Sequence, residues 1–160
     1  MALTTAQLQT LKAAIAAETN TTFVSYRTAG ATGAMADWYN GKSNTDAWKI
    51  HMQAQELDEA SDYSSFDSVV AGKRDAWDLF LRYAPRDMSK NKNRKVVTDV
   101  WGNAVASSIA ESILQASTEK ATRGELVFGS TSATTGTVTA IKRNFIGQIY
   151  NQDILDALGA

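Results

Sequence analysis

The sequence predicts a mainly α protein, a bundle of five or six helices followed by an extended C-terminal arm or short hairpin. Three observations carry that expectation. Apolar residues recur at helical spacing through most of the chain, the only proline stands at the end of the clearest helical run, and a Ser/Thr/Gly tract follows Phe128. The predicted division is a helical body over 1–129 and a docking arm over 130–160.

The first helix begins behind Thr4, an N-cap with Gln7 three residues on as its capping-box partner. Leu8, Leu11 and Ile15 form its apolar stripe, and it ends near Glu18. Asn20-Thr21-Thr22 breaks the pattern. Phe23, Val24 and Tyr26 start a second short helix that Gly30 and Gly33 close. Ala34 to Tyr39 reads as a third, stopped by a left-handed exit at Asn40-Gly41.

Asn44 or Thr45 then caps a helix with Asp46 in its first turn and Trp48 and Met52 on one stripe. Ser64 to Ala84 is the strongest helical pattern. It is capped by Ser64 and Asp67, carries Phe66, Val69, Val70, Trp77, Phe80 and Leu81, and is ended near Tyr83 or Ala84 by Pro85. Asp87 to Lys95 reads as a polar, basic connection. Val96 or Val97 opens another helix through Val100, Trp101, Ala104, Val105, Ile109 and Ile113, with Gly102 inside it, running as far as Phe128 with or without a break at Ser117-Thr118. Gly129 to Thr137 reads as loop, Val138–Ile141 and Asn144–Ile149 as two short strands or one extended arm, and Asp153 to Leu158 as a closing helical turn or two.

Composition narrows the chemistry. There is no cysteine and a single histidine, His51, so disulfides, thiolate metal sites and multi-histidine sites are excluded. No Gly-x-Ser-x-Gly elbow accompanies His51, and Glu56, Asp58, Glu59 and Asp62 do not follow the spacing of an EF-hand loop. Gly30-Ala31-Thr32-Gly33 and Gly41-Lys42-Ser43 lack the full phosphate-loop pattern and read as turns. No cofactor, no metal and no catalytic residue is predicted; the chain reads as a non-enzyme. The start, Met1 to Thr5, has neither the basic nor the apolar region of a signal peptide, and no apolar window is long enough for a membrane span.

Net charge is −1, but unevenly spread. Arg82 to Lys95 holds Arg82, Arg86, Lys90, Lys92, Arg94 and Lys95 against Asp87 alone, whereas residues 37–78 hold nine acids and four bases. The basic segment suits nucleic-acid phosphates, an acidic face on another copy of the chain, or plain solvation. Most of the aromatic set Trp38, Tyr39, Trp48, Trp77 and Trp101 reads as core, with Trp38 and Tyr39 the candidates for partial exposure.

Several stretches together, Met1-Ala2-Leu3-Thr4-Thr5-Ala6-Gln7-Leu8 onward to Ile15, Ala36-Asp37-Trp38-Tyr39-Asn40, Trp48, Gly72-Lys73-Arg74 with Trp77, and Lys120-Ala121-Thr122-Arg123-Gly124-Glu125-Leu126, resemble small virion proteins of tailed bacteriophages, of the head–tail adaptor or connector kind. The resemblance implies a mostly helical subunit of a homo-oligomeric ring, commonly twelvefold, beneath the portal protein. It also implies an arm that grips a neighbour, tail or nozzle proteins as further partners, contact with packaged DNA, and a place at the head–tail junction of the virion. On that reading the contact residues are Arg86, Lys90, Lys92, Arg94 and Lys95 in the basic segment, with Val138, Ile141, Arg143, Phe145, Ile146, Tyr150, Ile154 and Leu155 in the arm. The alternatives are a tail-completion or decoration protein, or a small nucleic-acid-binding module using residues 86–95.

Overall fold

A computed structural model describes residues 2–102 and 107–159; Met1, Ala104, Val105 and Ala160, named above, lie outside the described residues. In chain order the elements are α1 (Thr5–Ala17), α2 (Thr21–Thr28), α3 (Thr32–Asn40), β1 (Lys42–Trp48), α4 (Ala54–Glu59), a 3₁₀ turn (Tyr63–Ser68), α5 (Ala71–Arg82), α6 (Asn91–Trp101), α7 (Ser107–Ala116), β2 (Thr118–Thr122), α8 (Arg123–Val127), β3 (Ser130–Thr135), β4 (Val138–Arg143) and α9 (Asn151–Gly159).

This corrects the expected fold class. The protein is mixed α/β, 58% helical with 17% in a four-stranded mixed sheet, and not a helical bundle with an arm. The strand order is β2-β1-β4-β3, and β1 runs parallel to β4 with Ala47 opposite Ile141. The two edge strands are Thr-Glu-Lys-Ala-Thr and Ser-Thr-Ser-Ala-Thr-Thr, polar sequences that read as helix tail and loop because an edge strand need bury little. β1 is also polar over most of its length, so its helix-cap signals at Asn44 and Thr45 were overridden by pairing with β4. Residues 130–160 are therefore not an extended arm. They form a hairpin that turns at Gly136 (φ +60°), where only glycine sits without strain, and then α9; residues 144–149 are not a strand.

The chain folds into two compact units, one of residues 1–44, 120–131 and 143–160 and the other of 45–119 and 132–142. In the first, α1 forms as its sequence predicts, Thr4 Oγ1 accepting from Gln7 N at 3.3 Å and Thr4 N donating to Gln7 Oε1 at 2.9 Å. Asn20 caps α2, and Arg27 returns from α2 to donate to the Ile15 and Ala16 carbonyls at the end of α1. The predicted left-handed exit at Gly41 is absent: Gly41 is extended (φ −65°), and the left-handed glycines of this unit are Gly30 and Gly129. α1 and α3 pack on α9 around Leu11, Ile15, Phe23, Met35, Tyr39, Ile149 and Ile154. The Asn40 side chain clasps the Ile149 backbone from both sides, Nδ2 to O at 2.7 Å and N to Oδ1 at 2.8 Å.

In the second unit Trp48, Trp77 and Trp101 are fully buried, with Trp77 and Trp101 edge to face at 5.6 Å. Around them pack Met52, Leu57, Val69, Phe80, Met88, Val97, Val100, Ile113, Leu114 and Val138. The single helix expected over 64–84 is split into the 3₁₀ turn and α5, since Val69 and Val70 are extended between them. The helix expected from Val96 to Phe128 is instead α6, α7, β2 and α8, and Gly102 ends α6 rather than lying inside a longer helix. α6 starts at Asn91, five residues early, so Lys92, Arg94 and Lys95 lie in its first turns and not in a connection.

Candidate interaction surface

Helical placement splits the basic cluster. Arg94 is buried (3% exposed). Its Nε donates to Thr135 Oγ1 at 2.8 Å, its Nη1 donates to the Met88 carbonyl at 2.7 Å, and its guanidinium lies 4.6 Å from the Trp48 ring centroid. Arg86 is half-buried. Its Nε donates to the Phe80 carbonyl at 2.8 Å, satisfying the end of α5, and its guanidinium stacks 4.4 Å from the Phe80 ring. Burial lowers the pKa of both arginines. Lys90 pairs with Asp87 at 3.3 Å and remains exposed, and Lys92 and Lys95 are exposed. Two of the five predicted contact cations are thus structural. The exposed remainder offers about three phosphate contacts, a weak and steeply salt-dependent hold on DNA.

The predicted arm residues divide in the same way. Val138, Ile141, Arg143 and Ile154 are buried and so are corrected from contact residues to interior ones. Phe145 is half-buried against Phe128 at 4.5 Å. Ile146 and Tyr150 (both 55% exposed) and Leu155 (46%) do face outward, joined by Leu158. Ile146 and Tyr150 rim a cleft of about 340 Å³ that Leu3, Gln7, Phe145 and Gln148 also line.

Sequence reading missed the densest polar cluster of the first unit, in the Lys120–Leu126 stretch. Thr122 caps α8 by accepting from Glu125 N at 3.2 Å, and Glu125 Oε2 accepts from Thr122 N at 2.8 Å. The other oxygen of Glu125 meets Arg143 Nη1 at 3.2 Å, with both side chains almost wholly buried. Arg123 lies 4.0 Å over the Trp38 ring and donates to the Trp38 carbonyl. Gly124 lies closely packed between them, and a Cβ there would come 2.8 Å from Ile149 Cδ1 and 3.3 Å from the Tyr39 carbonyl oxygen. Thr122-x-x-Glu125 is a readable capping signal; Arg143 as its ion partner is not readable, being brought in by β4.

Residues considered for catalysis do not converge. His51 is exposed. Glu56 accepts from Lys49 at 2.7 Å, Asp58 accepts from Tyr63 Oη at 2.6 Å, and Glu59 accepts from Gln55. Among the described residues no three acidic or histidine side chains gather as a metal site, and no helix is long and apolar enough to cross a membrane. Trp38 is half-buried as expected, whereas Tyr39 is buried, with a hydroxyl that meets no hydrogen-bond partner among the described residues and a pKa raised chiefly by that burial. Compared with known protein families, with characterised proteins and with solved structures, the chain matches none.

Proposed function

We propose that this protein is a structural subunit of a tailed-phage particle, a head–tail adaptor that assembles as a ring beneath the portal and joins capsid to tail. The observation that supports it, beside the resemblance in the sequence, is where large apolar side chains are left uncovered. Ile146, Tyr150, Leu155 and Leu158 stand out from the first unit, and Val70, Leu79 and Tyr83 from the second. Apolar patches held open on a folded surface suit burial against neighbours in an assembly. Exposed lysines on α6 beside such a patch suit an acidic neighbouring face or the DNA passing through the ring.

The test is copy number in purified particles, measured by quantitative mass spectrometry against the portal protein. About a dozen copies, one cyclic ring, supports the adaptor role. Hundreds of copies assign it to decoration or the tail, and absence from the particle refutes the reading. A companion variant, Ile146→Glu with Tyr150→Glu and Leu155→Glu, keeps the fold and loses incorporation if these residues are the contact.

A further inference from the structure

We propose that α5 is a self-complementary surface through which two copies of this chain pair antiparallel. The residues Gly72, Ala76, Leu79 and Tyr83 are spaced four, three and four apart and are all exposed, Leu79 at 51% and Tyr83 at 65%. That spacing puts them on one stripe of the helix, separate from the stripe of Trp77 and Phe80 that faces the core. The stripe borders a groove of about 410 Å³ whose far wall includes Lys92 and Val96 of α6.

The occupant follows from the order of sizes and charges. Small residues come first along the stripe and large ones last. If α5 of a second copy lies antiparallel with its Leu79 over Ala76, the same register sets its Tyr83 over Gly72. Each large side chain then meets a small one, and twofold symmetry repeats both contacts. Asp75 and Arg82 lie together on one flank of the stripe, and neither is in an ion pair among the described residues. Antiparallel pairing brings the same flank of each helix together, so Asp75 of each copy comes within about half a turn of Arg82 of the other. A parallel pairing would instead set Tyr83 on Tyr83 and Gly72 on Gly72, and would turn the Asp75–Arg82 flanks to opposite sides.

Gly72 supplies a separate observation. Its backbone is ordinary helix, and a Cβ added there would meet nothing within 4 Å. The chain's own fold thus does not require glycine at a position where glycine weakens a helix; a partner's tyrosine ring does. A cyclic ring is built on head-to-tail contacts and this contact is isologous, so it would be a different contact from the ring's, although it draws on Leu79 and Tyr83, which also count among the uncovered apolar residues above.

The experiment is size-exclusion chromatography with light scattering on the full chain over a concentration series, with circular dichroism melts alongside. The wild type is expected to show a two-copy species. Leu79→Glu, and Gly72→Leu as a variant that leaves the isolated fold intact, should each raise the dissociation constant by on the order of thirtyfold or more. Asp75→Arg and Arg82→Asp should each weaken pairing, and the two together should restore it. A wild type that stays monomeric at every concentration, an assembly of any size that survives Leu79→Glu unchanged, or a double charge swap no better than the single ones overturns the proposal.

Discussion

Replacing Glu125 by glutamine should unsettle the first unit far more than one altered surface carboxylate would. Glutamine keeps the shape and the acceptor for Thr122 N, but removes the negative charge 3.2 Å from Arg143 Nη1. At an effective dielectric constant of about 20, two unit charges at that separation interact by about 5 kcal/mol. Removing one partner of a buried ion pair costs about 3–5 kcal/mol. The two figures agree, and for a chain of this length they correspond to a fall in Tm of roughly 6–20 °C. The assay is thermal and urea unfolding of the wild type, Glu125→Gln, Arg143→Met and the double variant. The double variant should lose less than the sum of the single ones, because the two side chains interact directly. A loss below about 1 kcal/mol for Glu125→Gln, the range of an exposed pair, refutes the reasoning.

Three further outcomes are expected. Arg94→Ala should destabilise by about 3 kcal/mol, since it strips the Met88 carbonyl and Thr135 of a charged donor, while Lys95→Ala, exposed on the same helix, should stay within about 0.5 kcal/mol; comparable losses in urea titrations would contradict the division of the basic cluster. Tyr39→Phe removes a buried hydroxyl that has no hydrogen-bond partner and should leave Tm unchanged or raise it by a few degrees, so a clear drop would mean the hydroxyl is bonded after all. Glu56 is held below its ordinary value of 4.5, first by the hydrogen bond from Lys49 and then by that from Gln53 N. A depressed carboxylate stabilises above its unfolded pKa and loses that contribution as pH falls through the folded one. Glu56→Gln should therefore lower Tm at pH 7 and match the wild type near pH 3, and an equal gap at both pH values would rule out the carboxylate as the source.

What was legible in the sequence was local. The capping box at Thr4 and Gln7, the stop near Pro85 and the burial of Trp48, Trp77 and Trp101 depend on neighbours in the chain or on plain hydrophobicity, and each is where the residues put it. Beyond the strand offered at Val138–Ile141 the sheet was not legible, because β1, β2 and β3 carry few apolar residues; β1 and β2 become strands by pairing with segments distant in sequence, and β3 by pairing with β4 across the turn at Gly136. The same cause hid three of the candidate contacts. Val138, Ile141 and Arg143 look like the apolar-basic tip of an arm until β4 joins the sheet and turns them inward. The basic cluster failed differently: six cations within residues 82–95 say nothing about which will find a carbonyl to bind, and Arg94 found Met88.

The interleaved path of the chain has a consequence for its synthesis. The cores that α1 and α3 build need Ile149 and Ile154, and the core around Trp48 needs Val138 and Ala140. During synthesis Leu11, Ile15 and Phe23 emerge long before the Ile149 and Ile154 that cover them, so the first unit stays open until residues 143–160 have emerged, whereas the second needs the chain only as far as residue 142. A chain cut between residues 143 and 149 therefore keeps every segment of the second unit and leaves the core of the first without Ile149 and Ile154.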